Sequence, residues 1–161
     1  FRSRVEVEMR NPSQRWSGHA YLDSNEGDEP VSEAFREWDW SRALLSDGST
    51  AVIYDIQQKS GNDRLLGLRF FPDGRIDEFQ PPPRHGLAPT AWRLPRRMRS
   101  EGINPVRVIE MLEDTPFYER SVLKSHLFGE DVISVHETLN VPRLISPVVQ
   151  RMLPFRMPRW A

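Results

Sequence analysis

Residues 16–42, WSGHAYLDSNEGDEPVSEAFREWDWSR, gather side chains able to do proton chemistry beside apolar groups. The stretch holds three of the chain's five tryptophans, and Tyr21 and Asp23 stand two residues apart in it. Side chains of an extended strand alternate between its two faces. His19, Tyr21, Asp23 and Asn25 then share one face, and Gly18, Ala20 and Leu22 the other. After a turn through 26–30, Trp38, Trp40 and Arg42 share a face of a second strand. If the two faces meet, a carboxylic acid, a phenol and two indoles line one pocket, which suits proton transfer to an apolar substrate. The same residues also have a plainer reading: Asp23-Ser24-Asn25 is turn chemistry, and the tryptophan pair is core.

Positioning these groups falls to a series of short strands. Alternation of apolar and charged residues over 4–9 (RVEVEM) marks the first. A turn at 11–13 leads to a second strand over 15–23, and a polar, acidic connection over 24–33 leads to a third over 36–45. Turn residues at 46–49, 59–63 and 72–74 separate strands over 50–57, 65–71 and 75–79. Three prolines at 81–83 end that run, because proline lacks the ladder donor. After a loop to about residue 88, a strand over 90–99 is interrupted near Pro95. Another covers 106–112, and a hairpin pairs 117–127 with 131–139. About nine strands at roughly ten-residue spacing predict an antiparallel sandwich or barrel. Only the end reads as helix, with Ser146 as cap, Pro147 in the first turn and Pro154 as the stop.

Composition narrows the chemistry. At 161 residues the chain forms one domain with a real core. A net charge of -1 gives no global attraction for nucleic acid. The absence of cysteine excludes disulfides, thiolate zinc sites and cysteine nucleophiles, and fits a reducing compartment. No apolar run approaches the roughly 20 residues of a membrane-spanning helix, and no signal peptide is visible. The first residue is Phe1, so the chain is expected to be a fragment or a processed product. Charge is blocked: seven acids and one base over 23–39, then five arginines and no acid over 84–99. Four arginines and no acid follow position 142, so the basic, apolar end RMLPFRMPRW suits either a helix closing the domain or a peripheral membrane surface.

Familiar catalytic motifs are missing. The acidic run from Asp23 fails as a calcium loop, since Gly27, Asp28 and Ala34 stand at positions five, six and twelve. His19, His85, His126 and His136 show no metal-ligand spacing, so no metal is expected. Phosphate-binding glycine loops and a nucleophile elbow are absent, so no nucleotide cofactor or serine hydrolase chemistry is expected. Trp92 among arginines is a weak nucleic-acid platform, and the balanced charge argues against one.

The segment over 18–43, GHAYLDSNEGDEPVSEAFREWDWSRA, resembles the core motif of the carotenoid 1,2-hydratases, the hydroxyneurosporene synthase family. LEDTPFYERS at 112–121, VHETLN at 135–140 and SPVVQRMLPFRMPR at 146–159 resemble that family's C-terminal half. The resemblance implies an all-β, antiparallel lipocalin-like barrel of about eight to nine strands with a short C-terminal helix. It implies a single domain over 1–161, the second barrel of a two-barrel protein whose N-terminal barrel is a partner. It implies addition of water to the terminal C1=C2 double bond of acyclic carotenoids such as neurosporene or lycopene, without a cofactor, at a bacterial membrane surface. Asp23 and Tyr21 are the catalytic residues that the resemblance supports. Trp38, Trp40, Asn25 and His19 are assigned to substrate binding by extension from the shared faces. The alternative function is a non-catalytic domain that binds a carotenoid or another hydrophobic ligand.

Overall fold

The structure, a computed structural model, describes residues 3–24, 26–102 and 105–155. Alternating sequence becomes strand almost wherever turn residues bound it. In chain order the elements are β1 (Ser3–Arg10), β2 (Ser13–Ala20), α1 (Val31–Ala34), β3 (Phe35–Leu44), β4 (Thr50–Gln58), β5 (Arg64–Phe70) and β6 (Ile76–Glu78). Then come β7 (Arg84–Leu87), β8 (Arg96–Arg99), β9 (Arg107–Asp114), β10 (Tyr118–Leu127), β11 (Glu130–Asn140), α2 (Val141–Leu144) and α3 (Pro147–Met152). The fold is all-β and antiparallel, with short helices at its C-terminal end, as expected.

Seven strands form the main sheet in the order β6-β5-β4-β3-β11-β10-β9, while β1-β2 and β7-β8 are separate two-stranded sheets. The β7-β8 hairpin lies over one face of the main sheet, and its arginines meet carboxylates there. Asp55 of β4 accepts from both Arg84 and Arg99. Glu37 of β3 accepts from Arg97 Nη2 at 2.7 Å. Glu119 of β10 accepts from Arg96 Nη1 at 3.1 Å and lies 2.7 Å from His136 Nδ1. His136 Nε2 is 2.8 Å from the carbonyl oxygen of Arg97. The register places Asp55 opposite Asp39, Asp39 opposite Thr138, and Thr138 opposite Glu119, so these groups run in a row across four strands. The arginine block of the sequence is thus buried against acids from distant strands. At the other end of this face Ala43, Leu45, Ala51, Ile53, Leu127 and Val132 form the apolar core.

Several boundaries differ from expectation. β2 stops at Ala20, so Tyr21 and Asp23 sit in an irregular segment rather than on a strand face. The acidic connection ends in the one-turn helix α1. The loop after the three prolines holds β7, and the strand expected over 90–99 is only its last four residues. There Arg93 takes a φ of 55° and its N–H bonds to the carbonyl of Thr90, a turn that breaks the strand before Pro95. α3 follows its signals: the Ser146 side chain accepts from the N–H of Val149, and proline occupies the first turn. α2 was not anticipated; Asn140 caps it by accepting from Arg143 N at 3.0 Å. Gly67 is required where β5 passes the segment after β6, because a Cβ there would lie 2.6 Å from the carbonyl oxygen of Phe79.

Candidate active site

Alternation along the central strands gives the main sheet a second, separate inventory on its other face. Tyr54, Trp40, Glu137 and Arg120 stand opposite one another in sequence of pairing across β4, β3, β11 and β10. Two residues along, on the same face, Trp38 of β3 stands opposite Ile56 of β4. The irregular segment after β2 borders a partly open cavity of about 670 Å3 on this face. Its lining includes Tyr21, Asp23, Phe35, Trp38, Trp40 and Tyr54, together with Ile56, Arg120 and Glu137.

Contacts within the cavity are aromatic and polar by turns. Tyr21 and Trp40 rings lie 5.6 Å apart, and Trp40 meets Tyr54 edge-on at 6.4 Å. Phe35 and Trp38 make a T-shaped pair at 5.8 Å. The Arg42 guanidinium sits 4.7 Å above the Tyr21 ring. Tyr54 donates its hydroxyl hydrogen to Asp23 Oδ2 at 3.1 Å. Across the cavity Arg120 Nε donates to Glu137 Oε1 at 2.8 Å.

Electrostatics keeps both phenols neutral. Burial, followed by the charge of Asp23, pushes Tyr21 up to about 12. Tyr54 is raised for the same two reasons in the same order. Both remain O–H donors at physiological pH. Asp23 itself is exposed at the cavity's edge. Among the described residues no group of His, Asp and Glu is arranged to hold a metal ion.

Four of the six residues singled out from the sequence, Tyr21, Asp23, Trp38 and Trp40, come together in this cavity. His19 does not: it is exposed on β2, paired with Arg4 of β1, because β2 ends before the chain reaches the cavity. Asn25 lies outside the described residues. Sequence reasoning missed Tyr54, Glu137 and Arg120. The strands expected over 50–57 and 131–139 include Tyr54 and Glu137, but only the pairing order β4-β3-β11-β10 brings them beside Trp40.

The chain is 58% identical over 159 residues to an acyclic carotenoid 1,2-hydratase of Rubrivivax gelatinosus, a match covering 99% of this chain and 39% of the relative. It is 52% identical to the acyclic carotenoid 1,2-hydratase of Thiocapsa roseopersicina, over 98% of this chain and 39% of that protein. The enzyme of the same name from Cereibacter sphaeroides is 37% identical, over 98% of this chain and 56% of its own length. The chain therefore spans about two-fifths to just over half the length of these relatives. No solved structure matches it. A family model described as carotenoid hydratase CrtC matches residues 2–161, from before the first strand to the end of the chain, and with that match the chain belongs to the CrtC carotenoid hydratase family.

Proposed function

We propose that this chain carries the acid site of a carotenoid 1,2-hydratase, which adds water to the terminal C1=C2 double bond of an acyclic carotenoid such as neurosporene or lycopene. The observation that carries this reading is Asp23, hydrogen-bonded by Tyr54, at the edge of a cavity walled by Tyr21, Trp38 and Trp40. A trisubstituted alkene is a weak base, so its hydration starts with a carboxylic acid. The Asp23 carboxyl gives its proton to C2, and the tertiary cation forms at C1. Water then adds at C1 and gives the 1-hydroxy product. No redox step is involved, and no cofactor is required. An apolar substrate seated over Asp23 excludes water from the reacting carboxyl. The Tyr21 and Tyr54 hydroxyls orient the acid and then stabilise the carboxylate it leaves. The faces of Trp38 and Trp40 stabilise the cation, by about 2 kcal/mol when desolvated.

The remaining length of the relatives supports a further portion of the same polypeptide as a partner, and we assign to it a first barrel that shields the exposed Asp23. At the other end Val148, Leu153 and Phe155 are exposed beside Arg151 of α3, which suits peripheral contact with the cytoplasmic side of a bacterial membrane where the substrate dissolves. Among the described residues no helix is long and apolar enough to cross a membrane.

The exposure of Asp23 favours a second reading, a domain that binds a carotenoid or another hydrophobic ligand without turnover. Product analysis separates the two. The chain is expressed alone and within its complete polypeptide, in cells that accumulate lycopene or neurosporene. A 1-hydroxy carotenoid that disappears in Asp23→Asn supports the hydratase; full activity in Asp23→Asn refutes the role of Asp23. Absence of product from the complete polypeptide leaves the binding domain.

A further inference from the structure

Hydration needs a second proton transfer besides the one in which Asp23 gives up its proton. Once water has added to the C1 cation, the oxonium must lose a proton, and a base must stand on the side from which water comes. Besides Asp23, the cavity is lined by Glu26 and Glu29 of the irregular segment, both exposed, and by Glu137, the carboxylate of this lining that the main sheet itself supplies. It lies directly across from Trp40, and Trp40 lies directly across from Tyr54, whose hydroxyl holds Asp23. With adjacent strands about 4.8 Å apart, Glu137 and Tyr54 are separated by about 10 Å at the backbone, with the Trp40 indole between them. An acid and a base on opposite flanks of an aromatic floor leave room for an alkene end and one water molecule. Paired carboxyl groups need such a gap whenever water must fit between base and substrate. Arg120 Nε, donating at 2.8 Å, fixes the direction of the Glu137 carboxylate.

We infer that Glu137 is the general base of the hydration, positioned by Arg120 and separated from Asp23 by Trp40. This rests on the hydratase reading. The Asp23 proton forms the C2–H bond as the π pair leaves C1. A lone pair of water forms the C1–O bond, and Glu137 takes the proton that water sheds. The carboxylate of Asp23 and the acid of Glu137 then exchange a proton through solvent, which restores the starting state.

The test uses the complete polypeptide in deuterated buffer and follows two signals, 1-hydroxy product and deuterium entering C2 of recovered substrate. Reversible protonation by Asp23 washes deuterium in even when water is not captured. Glu137→Gln is expected to lose hydration by about 100- to 10,000-fold while keeping deuterium wash-in. Glu137→Asp, which keeps a base, retains more hydration than Glu137→Gln, and added formate restores product to Glu137→Ala. Asp23→Asn loses both signals. Hydration by Glu137→Gln within about threefold of wild type overturns the assignment. So does joint loss of both signals in a Glu137→Gln protein that melts like wild type, because Glu137 would then shape the cavity rather than accept the proton. If the wild type gives neither signal, the hydratase reading itself falls, a result distinct from both.

Discussion

Replacing Glu119 by glutamine tests whether the hairpin over the main sheet is held by charge. The Arg96 and Glu119 side chains are 3% and 0% exposed, and His136 on the other oxygen of Glu119 is 1% exposed. Glutamine keeps the shape but removes the charge that faces the buried Arg96 guanidinium. Removing one partner of a buried ion pair costs about 3–5 kcal/mol, because the other charge stays buried and uncompensated. In a domain of this size each kcal/mol lowers Tm by about 2–4 °C, so Glu119→Gln should melt about 6–20 °C below wild type. Urea unfolding followed by tryptophan fluorescence gives the free energy directly, and an unchanged slope shows that the folded state is intact. The double variant Arg96→Met, Glu119→Leu removes both charges and should recover part of the loss. A Glu119→Gln protein within about 1 kcal/mol of wild type refutes the reasoning; the hairpin would then be held by Met98 and Leu94, which are 2% and 0% exposed.

Other consequences can be measured separately. Tyr54→Phe removes the hydrogen bond to Asp23, worth about 1.5–3 kcal/mol when one partner is charged. Hydration rate should fall by about 10- to 100-fold in a protein that remains folded at the assay temperature. Gly67→Ala forces a Cβ against the Phe79 carbonyl and should cost about 1–3 kcal/mol, read from the urea midpoint. Burial raises the carboxyl of Asp39 above its usual 3.8, against the opposing charge of His136 and the hydrogen bond from Thr138. A raised acid binds its proton more tightly folded than unfolded, so its stabilisation is present at low pH and lost as pH rises through the folded value. Asp39→Asn should therefore gain on wild type as pH rises above 3.8, as seen in parallel thermal melts.

Local patterning made β1 and most strands of the main sheet legible. The alternation in RVEVEM corresponds to β1, the β-branched and aromatic run TAVIYDIQ to β4, and the turns at Asp47-Gly48 and Asp73-Gly74 to the β3-β4 and β5-β6 hairpins. Short elements escaped because their signals are weak or compete. α2 rests on a single asparagine cap, and β7 lies among prolines and glycine that read as loop. At the site, Tyr21 and Asp23 were recognisable by type and spacing, yet the strand alternation used to place His19 with them ended at Ala20. Tyr54, Glu137 and Arg120 depend on which strands become neighbours. No local pattern encodes that β11 inserts between β3 and β10.

The two faces of β4, β3, β11 and β10 carry independent duties on interleaved positions. Tyr54 is followed by Asp55, Trp40 is preceded by Asp39, Glu137 stands between His136 and Thr138, and Arg120 is preceded by Glu119. The first of each set lines the cavity, and its neighbours bury ions beneath the hairpin. Substitutions on the cavity face can drift toward longer, shorter or more polar ligands while the ion-paired face continues to hold the strands. A frameshift of one residue in the pairing is excluded as well, since it would set tryptophans against arginines and turn the carboxylates out to solvent.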